Sequence, residues 1–553
     1  MKATLAVLLL FISSSLAYKI LCIFPAPTKS HDHLSNGVVQ ALLKAGHKVT
    51  WATPYKKTNF HANLTFVDLA ATRISISTAV DMMDSANAGI SFIRTFARNV
   101  SRTAAESPEL RKALVEQQFD AVISTWFIND FEAGYAAIQQ VPWILLSSIG
   151  VHPNLEAMVD EVRSVTTVPL HFNDSPIPMS WGRRMLNGLF YLLMTVDSWF
   201  DEPRQAAIYE DIFAPLAAAR GVPLPPFHEA QHNVSILLVN SHESIGPALS
   251  LPPNVINIAG YHIDDKPPPL PKDLQDLLDG SPQGVVYFSM GSVLKCSALK
   301  QHTRYALLKL FSTLPYTVLW KFEEPLTGLP KNVHVRPWLP QPSVLAHKNV
   351  KLFITHGGLL STLEAIHYGV PLLAVPVFGD QPGNAERARR AGYALRVDFH
   401  ADVAEELGVA LKEMLRNDSY YIKAQYLSKI FRARPAPPSE MISFYVNLAI
   451  ETKGEFYIII SNKIFSAQHL ATSTALLLAS IVPTKLLGLQ MSISAGLANV
   501  SWSTLRPVGV DQPRNEPNVL KFILVDDQIP RSILCPKLNC QRDGVIYERK
   551  KNI

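Results

Sequence analysis

The chain has 553 residues, more than one hydrophobic core usually supports, so two domains with additional segments are expected. Hydrophobic residues make up 48% and charged residues 18%, a globular composition that excludes a largely disordered chain. The formal net charge of +5 is small for this length and its Lys and Arg are scattered, so no nucleic-acid partner is implied.

Residues 1–17 read as a secretory signal peptide: Lys2, then the apolar ATLAVLLLFI, then SSSLA before Tyr18. Asn-x-Ser/Thr sequons at Asn63, Asn99, Asn173, Asn233, Asn417 and Asn499 fit a chain that enters the secretory pathway. The four cysteines, Cys22, Cys296, Cys535 and Cys540, are too few for a disulfide framework.

Residues 18–54 spell a strand–helix–strand unit. YKILCIFP is an apolar strand, APTKSHDH a loop, NGVVQALLKAG a helix ending at Gly46, and HKVTWATP a second strand. FDAVISTWF and VPWILLSS continue the series as buried parallel strands. From about 165 to 230 the pattern loosens into a Pro-containing, aromatic, helix-rich region, and DDKPPPLPKDL (264–274) is the most linker-like stretch.

A second alternation follows. Strand GVVYFSMGS, a helix to about 313 and strand YTVLWKF lead to NVHVRPWLPQ and strand NVKLFITHGG; a helix from about 359, strand PLLAVPVF, helix GNAERARRAG and strand YALRVDF complete it. Strands alternating with helices predict an α/β chain of two doubly wound domains with a cleft between them. The expected order is an N-terminal domain over 18–260, a Pro-rich linker over 261–275, a C-terminal domain over 276–450 and an atypical region over 451–553. No GxGxxG follows the first strand and no Walker A motif occurs, so dinucleotide and P-loop readings lose support.

In a parallel sheet ligands bind beyond the carboxyl ends of the strands. NVKLFIT runs into Thr355-His356-Gly357-Gly358, where glycines let the backbone approach a phosphate and a helix N-terminus favours negative charge. His356 adds a donor for a diphosphate oxygen, and Glu364, two turns on, can accept from ribose hydroxyls. PLLAVPVF leads to Gly379-Asp380-Gln381, a pair suited to sugar hydroxyls. Upstream, Trp338 offers an indole face to a planar base, with Gln341 able to reach its edge. Taken singly, each of these polar residues reads equally well as a helix cap or a satisfied loop side chain; their convergence on one crevice favours a site.

The run Phe353–Gln381 resembles the signature of the UDP-glycosyltransferase family: Thr-His-x-Gly, Ser361, Glu364, Pro371, Pro376 and Asp380-Gln381. KSH in the first loop, AGHKVTWATP, FSMGS, RPWLPQ and DQPGNAERA extend the resemblance over roughly residues 1–450, with an insect-like flavour. The resemblance implies a GT-B fold of two Rossmann-like domains, the C-terminal half holding a UDP-sugar and the N-terminal half a small lipophilic acceptor. It implies stacking of uracil on Trp338, contact of Gln341 with base or ribose, ribose on Glu364, and diphosphate at Ser292 and His356 beside Gly358. Ser361 and Asn384 would line the donor site, and Asp380 and Gln381 would hold the sugar. His31 would be the general base of an inverting hexosyl transfer, with glucose the expected sugar. The UDP-sugar is a co-substrate, and neither cofactor nor metal is implied.

The family's acidic partner of that base falls on Thr125, a hydroxyl unable to stabilise imidazolium with a full charge. Asp130 and Glu132, just beyond the strand, are the alternatives, and both also fit ordinary acidity at a helix start. The Thr125 position leaves open a second function, a UDP-sugar or lipophile-binding protein of weak activity. Beyond SKIFRARPAPPSE the resemblance ends. HLATSTALLLASIVPTKLLGLQ, near 469–490, is a weak membrane segment because Pro483 and Lys485 interrupt it. The expected location is the endoplasmic reticulum lumen or membrane, or outside the cell if that segment does not span; the oligomeric state is open.

Overall fold

The computed structural model describes residues 17–454 apart from 57–60, 77–89, 160–167, 171–174, 176, 247–250, 265, 293 and 401, together with 505–507 and 522–524. The expected signal peptide up to residue 16, Asn173, Asn499, Cys535, Cys540 and the apolar segment near 469–490 lie outside the described residues.

Two parallel sheets organise residues 17–454. The first has seven strands in the order β3-β2-β1-β4-β5-β6-β7. These are β1 (Lys19–Ile23), β2 (Lys48–Thr53), β3 (Leu64–Asp68), β4 (Ala121–Thr125), β5 (Trp143–Ser147), β6 (Val234–Val239) and β7 (Val255–Asn257). The second has six, ordered β10-β9-β8-β11-β12-β13. They are β8 (Val285–Ser289), β9 (Thr317–Lys321), β10 (Val333–Arg336), β11 (Val350–Thr355), β12 (Leu372–Ala374) and β13 (Ala394–Arg396).

The central strands β4, β5, β6 and β8 are buried along their whole length, as strands covered by helices on both faces must be. Each sheet accordingly carries one apolar cluster per face. In the second sheet Tyr287 of β8 stacks on Phe353 of β11, with ring centroids 4.7 Å apart. That contact sits beside the register pair Phe353↔Tyr287 and fixes the two strands whose carboxyl ends carry the Gly291 and His356 turns.

Covalent order and packing diverge at two places. The helix Pro438–Glu451, the last among the described residues, contributes Ile442, Val446 and Ala449 to the core of the first sheet. Conversely, Ala259, just after β7, is buried in a cluster of the second sheet.

The loosely patterned region holds one long helix, Trp181–Arg220, with Pro203 and Pro215 inside it. Among the described residues no helix is long and apolar enough to cross a membrane. The chain divides into two compact units at residues 476 and 477; within the second, β14 (Leu505–Pro507) pairs antiparallel with β15 (Phe522–Leu524).

Candidate active site

The second sheet gathers its polar residues at the carboxyl end of β11. Its strand turns through Gly357, whose φ of +78° only glycine adopts without strain, into the helix Leu359–Tyr368. Gly358 is the N-cap of that helix and has no side chain to satisfy the first free N–H groups, which therefore face outward. The His356 ring lies between two glycine backbones. A Cβ on Gly358 would come within 2.4 Å of His356 Nε2, and one on Gly291 within 2.6 Å of His356 Cε1. Ser292 follows Gly291 in the turn after β8. Burial, with Lys321 nearby, lowers His356 to about 4, so its imidazole is neutral.

A connected network lies deeper. The Gln341 amide donates from Nε2 to Ser361 Oγ at 3.0 Å and to Glu364 Oε2 at 2.7 Å, while its Oε1 accepts from the Tyr287 hydroxyl at 3.1 Å. Gln341 thus holds Glu364 and Ser361 with its amide N–H groups, and its Oε1 keeps a second lone pair. Burial raises the Glu364 carboxyl to about 7, against which the Gln341 hydrogen bond works.

The loop after β12 is built in the same way. Gln381 Oε1 accepts from the backbone N–H of Val377 at 2.9 Å and of Phe378 at 3.1 Å. Asn384 Nδ2 donates to Asp380 Oδ2 at 2.7 Å and to Gly357 O at 3.1 Å, and its Oδ1 accepts from Arg387. Asn384 therefore ties Asp380 to the turn that presents His356. Burial raises the Asp380 carboxyl.

Trp338 is 53% exposed. Lys29 Nζ lies 4.1 Å from its ring centroid and Lys321 Nζ 5.8 Å. Since Lys29 opens the helix that carries His31, this cation–π contact joins the two halves of the site.

His31 sits in the first turn of the helix Lys29–Lys44 rather than in a loop, because Thr28 caps the helix about two turns earlier than the apolar pattern indicates. The Thr28 hydroxyl accepts from the His31 backbone N–H at 3.3 Å and lies 2.7 Å from His31 Nδ1. One hydroxyl thus both starts the helix and orients the imidazole. Phe127 meets the ring edge-on, with centroids 5.5 Å apart. Ile128, next in sequence, holds a φ of +56°, a strained conformation for a β-branched residue. Burial lowers His31 to about 4.

Thr125 is buried at the end of β4. Asp130 accepts from the Trp126 indole N–H at 2.9 Å, and its own backbone N–H donates to Gln205 Oε1 at 2.8 Å. Glu132 is fully buried, and burial raises it to about 8, against which a hydrogen bond with Ser101 works. The hydrogen-bonding groups of both alternatives are thus oriented to the Trp126 side or shut in the core, while Thr28 takes His31 Nδ1. Thr28 lies within APTKSHDH, the stretch expected to be a loop, and its contact with the imidazole is not legible in the sequence. Among the described residues no group of three or more His, Cys, Asp or Glu is arranged to hold a metal ion.

A family model described as UDP-glucoronosyl and UDP-glucosyl transferase matches residues 35–465. The chain belongs to this family. UDP-glucosyltransferase 2 of Dactylopius coccus is 28% identical over 486 residues, covering 86% of this chain and 91% of that protein. UDP-glycosyltransferase UGT5 of the same organism is 30% identical over 455 residues, covering 80% and 85%. UDP-glucuronosyltransferase 2B7 of Rattus norvegicus is 30% identical over 359 residues, or 64% of this chain and 65% of that one.

Among solved structures, an indoxyl-glucosylating UDP-glucosyltransferase of Polygonum tinctorium aligns with a TM-score of 0.54 at 16% identity, over 79% of this chain and 100% of that chain. The calicheamicin glycosyltransferase CalG4 aligns with a TM-score of 0.52 at 17% identity, over 79% and 98%. These likenesses give the fold as GT-B, in accord with the two parallel sheets, and the family gives the activity class as glycosyl transfer from a UDP donor.

Proposed function

We propose that this glycosyltransferase moves a hexose, glucose by preference, from a UDP-sugar to a hydroxyl of a small lipophilic acceptor with inversion at the anomeric carbon. The observation that carries the reading is the Gln341–Glu364–Ser361 network, together with an exposed Trp338 whose ring meets Lys29 of the His31 helix. Uracil stacks on Trp338. The ribose hydroxyls donate to Glu364, which Gln341 holds. The diphosphate lies against the helix N-terminus at Gly358, with His356 and Ser292 beside it, where free N–H groups replace its hydration and no metal ion is called on. Asp380 and Gln381 receive the sugar hydroxyls.

On the acceptor side His31 works as a general base. With Nδ1 donating to Thr28, the lone pair stands on Nε2 and accepts the acceptor's proton as its oxygen attacks. Because burial holds the imidazole neutral, the lone pair is available across the physiological range. Phe127 and Phe96, 6.2 Å apart and edge-on, offer an apolar wall to the acceptor. Glucose is preferred on the strength of the similarity to the Dactylopius coccus UDP-glucosyltransferase.

One observation favours a second reading, a binding protein of weak activity. The base leans on the Thr28 hydroxyl and has Thr125 at the family's acidic position, so imidazolium forms without an opposing charge. A UDP-release assay over a panel of phenols, with UDP-glucose and UDP-glucuronate in parallel, separates the two. Release with UDP-glucose supports the transferase; UDP binding without release from any donor supports the binding protein.

Entry into the secretory pathway belongs to the same proposal. It is supported by the basic-apolar-small start of the sequence and by sequons at Asn99, Asn233 and Asn417 that are exposed. Residence in the endoplasmic reticulum and membrane association through 469–490 are part of that reading. Mass analysis of the secreted-pathway product before and after glycosidase treatment tests it.

A further inference from the structure

The segment leaving the first sheet carries Tyr261 and His262, and the donor reading uses neither. The His262 side chain is completely shut from solvent, yet neither Nδ1 nor Nε2 has a hydrogen-bond partner. A buried imidazole left this way is costly, and such a group in a folded protein calls for an explanation. Its Nε2 stands 3.9 Å from Glu364 Oε1, too long for a hydrogen bond and about 1 Å from making one. Gln341 already takes the other oxygen, Oε2.

On its opposite side His262 meets His33 edge-on, with ring centroids 5.6 Å apart. His33 belongs to the helix of His31. Further along that helix Gly37 lies so close that a Cβ there would be 2.9 Å from Tyr261 Cδ2 and 3.1 Å from both Tyr261 O and His262 Cα. The helix of the base therefore rides directly on the Tyr261–His262 backbone, while the His262 ring reaches toward the ribose carboxylate.

We propose that His262 is a positioning residue that closes onto Glu364 Oε1 when the ribose of a UDP-sugar binds, holding that carboxylate as an acceptor and coupling the His31 helix to donor occupancy. The inference rests on the assignment of Glu364 to the ribose. A pair of hydroxyls is bound best by an ionised carboxylate, which accepts only. In the empty site burial opposes that state, and an N–H donated by His262 favours it. His262 acts as a neutral donor: burial holds it well below the usual histidine range, and His33 and His367 nearby disfavour another positive charge. The titratable groups facing it are Tyr261 on its own segment, His33 on the helix Lys29–Lys44, and Glu364 and His367 on the helix Leu359–Tyr368. Those facing Glu364 are His262 and Tyr287.

The test compares UDP with 2′,3′-dideoxy-UDP by calorimetry on the full chain, below, at and above neutral pH. The ratio of the two affinities cancels the phosphate titration and isolates the ribose hydroxyls. Glu364→Gln should collapse the ratio in any case. His262→Phe should reduce it about tenfold, the scale of one hydrogen bond to a charged group, with a larger loss toward acid. His262→Gln, which keeps an N–H donor, should retain most of it. Hydrogen exchange across residues 31–44 should slow on UDP binding in the wild type and not in His262→Phe.

A His262→Phe ratio equal to wild type at every pH, beside a collapsed Glu364→Gln, would overturn the inference and leave the ribose assignment standing. Equal loss in His262→Gln and His262→Phe, or exchange in the wild-type helix that UDP does not change, would overturn it as well. A Glu364→Gln ratio equal to wild type removes the ribose assignment itself, and the inference with it.

Discussion

The two halves of the site are supported very differently. On the donor side four polar anchors are hydrogen-bonded in place: Gln341 by Tyr287, Glu364 by Gln341, Asp380 by Asn384, and Gln381 by two backbone N–H groups. On the acceptor side the base has a single side-chain hydroxyl at its Nδ1, and the nearby carboxyl groups of Asp130 and Glu132 are bound or buried elsewhere. On the proposed function, donor recognition is preorganised, whereas proton removal by His31 would proceed without a charge to stabilise the imidazolium. Binding and rate are then expected to be separable and to respond to different residues.

The comparison can be broken first on the donor side. Trp338→Ala should weaken UDP binding about tenfold, the scale of one base-stacking contact, and leave turnover at saturating donor little changed. A comparable fall in saturated turnover would mean that the two sides are not separable.

A gain of up to about tenfold is expected from Thr125→Asp, which sharpens the contrast by giving the base its carboxylate. A negative charge beside His31 favours imidazolium and raises the ring from about 4 toward neutrality. Wild-type turnover at saturating donor should therefore persist until the pH falls to about 4, and the acid limb of Thr125→Asp should lie higher. An unchanged profile would remove Thr125 from the vicinity of the base.

The smallest effect is on stability. Burial raises Glu132 to about 8, so the folded state keeps a proton that the unfolded chain gives up in the ordinary glutamate range. Its contribution is fully present below that range and is lost as pH rises through about 8. Thermal midpoints of Glu132→Gln should fall less than those of wild type between mildly acidic and mildly alkaline pH. Parallel curves would show that Glu132 is not protonated in the fold.

Much of the fold was legible because the central strands are uninterrupted apolar runs, which only a doubly covered parallel sheet accommodates. The edge strands of the first sheet escaped notice. β3 alternates exposed and half-buried residues with a single buried valine, and β7 is three residues long, so neither announces itself in an apolar count. The helix Trp181–Arg220 was blurred by two internal prolines and by exposed Leu189, Phe190, Leu193 and Phe200, which dilute a core-facing stripe.

The donor residues were readable because one strand–turn–helix–strand run carries most of them at fixed spacings. Thr28 as a partner of His31, and His262 against Glu364, were not readable, since each matters through a three-dimensional neighbour that local pattern leaves undetermined. Nor was it readable that the Gln341 amide ties Glu364 to Ser361, a link made by packing.

The most direct measurement pairs turnover with donor affinity in His31→Ala. If His31 is the base of a preorganised transferase, UDP release at saturating UDP-glucose falls about a hundredfold or more while the affinity for UDP stays at the wild-type value. Turnover equal to wild type, at unchanged UDP affinity, would contradict the account.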